Sequence, residues 1–160
     1  MLPLFLFVLA LLVSIIHLSI TKKWKSLSLE VLLSYIILFN VGVMGLLAAY
    51  SHLFAADETA KMIGWQSGSP FQSEIGMANL SYGVLGILAF WYRGLFWFAT
   101  VLGQAILYLG AFVVHMIQLG HGDYAPFNVG PLVWIGDLVL PLFYLFLLFQ
   151  YLKDRRILKP

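Results

Sequence analysis

Cysteine is absent from this 160-residue chain, and charged residues are scarce. Without cysteine the protein has no disulfide framework, no thiolate metal site and no cysteine nucleophile. Only 10% of the residues are charged, against about 25% in a typical soluble domain. The net charge of +2 is too small for a nucleic-acid-binding surface, so we expect no nucleic acid partner.

Apolar residues, in contrast, make up 62% of the chain, and the mean hydropathy is +0.94. This composition excludes a soluble domain, a disordered segment and a fibrous repeat. We therefore expect an integral membrane protein whose main contact is the lipid bilayer. Because the chain contains no internal repeat, residues 1–160 are interpreted as a single transmembrane helical domain.

Five apolar runs predict an all-α bundle of five transmembrane helices, since about 20 apolar residues in helix cross a bilayer core. A Ser69-Pro70-Phe71-Gln72 sequence begins the third run, with Ser69 as the expected cap and Gln72 at the capping-box position. Polar loops are expected over residues 55–68 and 120–130. The predicted spans cover about residues 2–20, 28–54, 70–92, 95–119 and 131–152.

The distribution of lysine and arginine predicts the orientation of these spans. With five crossings, all but one of the nine basic residues fall on one side, and only Lys61 falls on the other. The positive-inside rule then places the N-terminus outside and the C-terminus in the cytoplasm. The inner set is Lys22, Lys23, Lys25, Arg93, Lys153, Arg155, Arg156 and Lys159.

Ionisable residues inside a membrane are costly and suggest a functional site. Glu74, His115 and Asp137 lie on three different predicted helices, about 6, 7 and 9 Å below their outer ends at about 1.5 Å per residue. Polar stripes on the helices must face other helices or water. An outward-facing pocket is therefore predicted from Glu74, His115, Asp137, Asn79, Gln118, His52, Gln104, Tyr108, Trp65, Gln72 and Trp134.

Two further expectations concern the remaining polar and helix-breaking residues. His17 and Glu30 lie at the inner ends of adjacent helices and are expected to form an interfacial pair. Pro141 is expected to kink the fifth helix and to free a backbone carbonyl near Asp137.

The segment from Gly64 to Gly76 has the pattern G-W-x-x-G-S-P-F-Q-x-E-x-G. With Asn79 through Trp91 and the later Ala125-Pro126-Phe127-Asn128, it resembles a family of small bacterial multi-span membrane proteins of unknown function. The resemblance extends from about Gly64 to Leu148 and implies a bacterial inner (plasma) membrane location but no reaction. It also implies that one motif set contains Trp65, Ser69, Gln72, Glu74, His115 and Asp137.

Three kinds of function remain open. In the first, which we favour, the pocket binds a metal ion, a proton or a small polar ligand. Glu74, His115 and Asp137 would supply two carboxylates and an imidazole, which suit divalent iron, manganese or zinc. In the second, the protein is a membrane enzyme that uses acid–base chemistry on a lipid-like substrate. In the third, it is a scaffold braced by these polar groups, and its glycine stripes would allow a homo-oligomer.

Overall fold

The computed structural model describes residues 2–157, apart from the side chains of residues 25–27, and this part of the chain is helical without a β-strand. Lys25 and Lys159 of the predicted inner set lie outside the described side chains. The helices, numbered in chain order, are α1 (Leu2–Thr21), α2 (Trp24–Ile36, continued by Ile37–Val43 and Met44–Phe54), α3 (Ala56–Ile63), α4 (Phe71–Leu88), α5 (Leu95–Gly120), α6 (Pro126–Val129) and α7 (Leu132–Val139, continued by Leu140–Asp154).

Four of the described helices are long and apolar enough to cross a membrane. They cover Leu2–Thr21, Ser28–Phe54, Leu95–Gly120 and Leu132–Asp154, and they agree with four of the five predicted spans. The remaining predicted span corresponds to α4, which ends at Leu88 rather than near residue 92. It is not among the four because polar residues and glycines interrupt its apolar sequence.

Helix α4 packs directly on the second half of α2 through paired glycines. A Cβ on Gly45 would lie 2.8 Å from the Cα of Gly83, and a Cβ on Gly86 would overlap the backbone nitrogen of Gly42. Only residues without a side chain permit backbones to approach so closely. This contact holds α4 alongside α2 for several turns.

The apolar core lies toward one end of the bundle. The fully buried side chains Leu33 and Ile36 of α2, Trp97 of α5, and Leu148 and Leu152 of α7 all belong to it. The indole Nε1 of Trp97 donates to the carbonyl of Ala89 at 2.6 Å, which joins the end of α4 to the start of α5. This dense packing closes that half of the bundle.

The same end carries an ion-pair cluster, and we call it the basic end. Glu30 on α2 accepts hydrogen bonds from Arg93 and from Arg155, the latter at 2.8 Å. The expected pair between His17 and Glu30 is therefore wrong. His17 Nδ1 lies 3.0 Å from the hydroxyl of Tyr35 instead, because two guanidinium groups already occupy the Glu30 carboxylate.

Two segments expected to be loops contain helices. Helix α3 lies within residues 55–68 and buries Thr59, Ala60 and Ile63. It ends at Gly64, whose φ of +87° favours glycine. The second short helix, α6, lies within residues 120–130. Helix α3 was missed because it is short and its acidic residues resemble a solvated loop.

The predicted capping box at the start of α4 is wrong. The helix begins at Phe71, so its N-cap is Pro70 rather than Ser69, and no described side chain caps it. Ser69 Oγ still accepts from the backbone N–H of Phe71 at 3.3 Å. Gln72, however, does not return to the start of the helix, because its side chain is buried against His52 on α2.

Two π-helical segments interrupt the long helices, at Ile37–Val43 in α2 and at Leu132–Val139 in α7. The wider turn in α7 lies directly before Leu140–Asp154, so Pro141 falls in the first turn of that segment. A missing N–H is tolerated best in a first turn. The backbone thus accommodates Pro141 by a change of helical pitch just before it.

Candidate ligand-binding cavity

A cavity of about 1240 Å³ lies at the end of the bundle opposite the basic end. Its walls are the second halves of α2 and α5, the first halves of α4 and α7, and the start of α1, with α3 and the following loop over it. Small-molecule pockets typically have volumes of about 300–1,000 Å³, so this cavity is large enough for an extended organic molecule. The glycine contact between α2 and α4 brings two of these walls together.

Two histidines line the cavity from different helices, and each is held by a side-chain amide. His52 Nδ1 lies 2.7 Å from Gln72 Oε1, and His115 Nδ1 lies 2.6 Å from Asn128 Oδ1. An amide oxygen can only accept a hydrogen bond, so Nδ1 of each ring is the donor. In the neutral ring, Nε2 is then an acceptor, and neither Nε2 has a hydrogen-bond partner among residues 2–157.

Asp137 contributes an acidic group from the π-helical segment of α7. It lines the cavity, and the described part of the chain supplies no hydrogen-bond or ion-pair partner for its carboxylate. Segments of π-helix occur frequently at functional sites because the wider turn alters which side chains face inward. Asn40 lies in the other π-helical segment and lines the same cavity.

The cavity's aromatic and amide residues are bonded to one another. Tyr108 donates to Asn79 Oδ1 at 3.1 Å, which links α5 to α4, and Tyr144 donates to Gln104 Oε1, which links α7 to α5. Trp65 stacks on His115, with ring centroids 6.4 Å apart and planes inclined by only 10°. These contacts restrict the orientation of the side chains in the polar wall.

The segment after α3 is fixed against α5 and α6. Asp123 accepts a hydrogen bond from the N–H of Ala125 at 3.0 Å, and its carbonyl accepts from Asn128 Nδ2 at 3.1 Å. A Cβ on Gly64 would collide with the Asp123 carboxylate. The loop that carries Trp65 and the segment that carries Asn128 therefore pack together over His115.

Comparison with protein families matches residues 1–156 to a family of unknown function, DUF6790. The chain belongs to DUF6790. Searches among curated proteins and among solved structures found no match. Membership agrees with the resemblance to a family of unknown function, while the G-W-x-x-G-S-P-F-Q-x-E-x-G motif stays a prediction.

Most of the predicted site residues of this DUF6790 member lie at the cavity or directly behind it. Gln72 and Gln104 stand behind the wall, where they hold His52 and Tyr144. The predicted residues that line the cavity are His52, Trp65, Asn79, Tyr108, His115 and Asp137.

The structure does not bring the other three predicted residues to the wall. Glu74 is exposed and is not part of the lining. Trp134 is 45% exposed and packs edge-on against Phe112. Gln118 also lies outside the lining, and its buried Oε1 has no hydrogen-bond partner among residues 2–157. The positions of these residues along their helices do not determine which way the side chains face, and that depends on how the helices pack.

This placement bears on the predicted metal ligands. Of Glu74, His115 and Asp137, only the last two line the cavity. Within the described ranges, no three His, Asp or Glu side chains are grouped as metal ligands would be. The described residues therefore form no group of three His, Asp or Glu side chains that could bind a divalent cation.

Sequence reasoning missed two residues of the site, Asn40 and Asn128. Asn40 is 4% exposed and donates to the carbonyl of Pro3 at 2.9 Å, which ties α1 to the cavity wall. Its place in a long apolar run was a usable signal, since an isolated amide in a transmembrane helix needs a partner. Asn128 lies in a polar segment, where its pairing with His115 depends on the tertiary structure alone.

Proposed function

We propose that this chain is a multi-span membrane protein that binds a small organic ligand with a polar group in the cavity. One observation supports this function above others. His52 on α2, His115 on α5 and Asp137 on α7 line one cavity, and each has an acceptor atom that pairs with no described residue. A few convergent polar groups in a mainly apolar cavity are typical of a small-molecule site.

The proposal includes five crossings, with the N-terminus outside and the C-terminus in the cytoplasm of a bacterial inner membrane. The side-by-side packing of α4 on α2 supports a fifth crossing, since the two helices lie at the same depth. Arg93 and Arg155 meet at the basic end, whereas Lys61 lies at the end with the cavity. By the positive-inside rule, the cavity then opens toward the outer leaflet.

The test compares the small molecules that co-purify with the wild type, Asp137→Asn and Glu74→Gln. Both variants convert an acid to its amide, but only Asp137 lines the cavity. Protein in mild detergent is extracted with organic solvent, and the extract is quantified by mass spectrometry against protein. We expect one compound in near-stoichiometric amount in the wild type and Glu74→Gln, and about tenfold less in Asp137→Asn, because a polar group left without its partner in a buried site costs about 1–3 kcal/mol.

Other outcomes would favour the other functions. Elemental analysis of the same samples and of His115→Ala tests for a metal. Zinc, iron or manganese that is present in the wild type and lost in the variants would favour a metal ion as the ligand instead of an organic molecule. A pair of co-purified compounds related by one reaction would favour an enzyme. Equal extracts from all variants, with unfolding temperatures lowered in Asp137→Asn alone, would favour a scaffold and contradict the proposal.

A further inference from the structure

The cavity wall is exposed to the surroundings of the bundle on two helices. Leu47 on α2 and Ile106 and Val114 on α5 all line the cavity, yet they are 42%, 65% and 43% exposed. At about 1.5 Å per residue, these three lie about 10, 21 and 9 Å from the cavity-side ends of their helices. Those depths correspond to the hydrocarbon region of a membrane about 30 Å thick.

Glycine leaves a gap in this exposed wall. Gly110 on α5 lines the cavity and is exposed, and a Cβ built on it would meet nothing within 4 Å. Exposed apolar side chains next to a position without a side chain form an edge that lipid tails can reach. This arrangement favours a sideways route from the bilayer into the cavity, past α5.

The part of the wall that His52, His115 and Asp137 form presents hydrogen-bond acceptors. Four amide and phenol donors of the wall are already bonded to protein oxygens: those of Asn40, Asn79, Tyr108 and Tyr144. The hydroxyls of Ser51 and Thr59 likewise donate to backbone carbonyls. His52 Nε2, His115 Nε2 and the Asp137 carboxylate are acceptors of this wall that no described residue pairs with. The lining also contains donors on the loop after α3, in Trp65, Gln66 and Ser69.

The charges of the wall have one sign. Asp137 and Glu58 are acidic, and the lining that the described residues form contains neither lysine nor arginine. A phosphate or carboxylate head group would leave water for a site that has acidic groups and no cation to pair with it. Proteins usually bind phosphate with arginine or lysine, so this wall disfavours anionic ligands.

We propose that the ligand is an amphiphile that enters from the bilayer past Gly110 and places a hydrogen-bond-donating head group without negative charge against His52, His115 and Asp137. A long-chain alcohol or amine has this chemistry. The inference rests on the proposed ligand-binding function and adds the chemical class of the ligand and its route of entry.

The experiment uses three photoreactive probes with the same sixteen-carbon diazirine chain and an amine, a hydroxyl or a phosphate head group. The full-length protein is reconstituted in phosphatidylcholine nanodiscs, illuminated with each probe, and digested for peptide mass spectrometry. Unlabelled hexadecylamine, hexadecanol and hexadecyl phosphate serve as competitors. We expect the amine and hydroxyl probes to label the segments around Leu47 and residues 106–114 at least about tenfold more than the phosphate probe, which is the ratio that about 1.4 kcal/mol produces.

Variants separate entry from head-group recognition. Gly110→Phe places a ring in the gap, and Gly120→Phe is the matched control, because Gly120 is exposed on the same helix, lies outside the lining and also has nothing within 4 Å of a built Cβ. We expect labelling to fall in Gly110→Phe and to persist in Gly120→Phe. Should Gly110→Phe fail to fold, Asp137→Asn against Glu74→Gln provides the second test, with loss of the head-group preference in Asp137→Asn alone.

Several results would overturn the inference. Equal labelling by the phosphate probe would contradict the proposed head-group chemistry. Labelling that is unchanged in Gly110→Phe would contradict the proposed lateral route. Neither result would contradict the proposed ligand binding. The absence of specific labelling by any probe would also overturn the inference, while the extracts of co-purified molecules would decide the proposed function separately.

Discussion

At the scale of single residues, the cavity depends on side-chain amides that determine which nitrogen of a histidine carries the proton. Gln72 and Asn128 each accept from a histidine Nδ1. The Nε2 of each ring is thereby made an acceptor while the ring is neutral. Gln72 was expected to cap its own helix, and only the structure shows that its side chain instead accepts a hydrogen bond from His52 on another helix.

Glu30 provides a prediction at the same scale. Glu30→Gln should lower the free energy of unfolding by about 1 kcal/mol, because it weakens pairs with two half-exposed arginines that contribute up to about 1 kcal/mol each. Asp154→Asn is the control, since Asp154 is exposed near the same end and forms no ion pair among the described residues. Thermal unfolding in detergent measures the difference, which should shrink in 0.5 M salt because salt screens exposed charges, with a Debye length of about 3 Å at 1 M. An effect equal to that of Asp154→Asn would show that the cluster adds no stability.

At the scale of helices, the pairing of α2 with α4 depends on glycine, whereas α5 contains glycine where nothing is packed. Gly42 and Gly45 on the second run pack against Gly83 and Gly86 on the third. Which glycines are needed for contact and which are open could not be read from spacing, because Gly110 lies in an equally apolar run.

Alanine substitutions test this difference directly. Gly86→Ala should destabilise the protein by about 1–3 kcal/mol or more, since its Cβ would overlap the backbone at Gly42 and force the helices apart. Gly110→Ala, the matched control, should be neutral or stabilising by up to about 1 kcal/mol, because alanine is the better helix former and has free space there. Unfolding of both variants in the same detergent measures the effect. Equal stability of the two would contradict the close packing of α2 on α4.

At the scale of the whole molecule, the end that bears the Glu30 cluster and the end that bears the cavity differ in chemistry. One end is densely packed and basic, and the other encloses a cavity with polar residues in its wall. This polarity, together with the position of α4, underlies the proposed five crossings.

The absence of cysteine makes the proposed topology testable with single introduced cysteines. Ser67→Cys, Tyr92→Cys and Lys153→Cys replace exposed residues after α3, after α4 and at the end of α7. In intact cells, a membrane-impermeant maleimide should label only Ser67→Cys, because the other two positions would be cytoplasmic. Labelling of all three after cell lysis is the control. Equal labelling of Ser67→Cys and Tyr92→Cys in intact cells would mean that α4 does not cross.

The sequence by itself determined the helical class and four of the membrane-length helices. These properties depend on composition and on a rise per residue that is the same in every helix. The tertiary structure alone decided which polar side chains share the cavity, because this depends on how the helices pack: Glu74 and Gln118 lie on regular α-helices and are still absent from the wall. It also decided the partner of each histidine, since Gln72 and Asn128 reach His52 and His115 only after distant segments have packed.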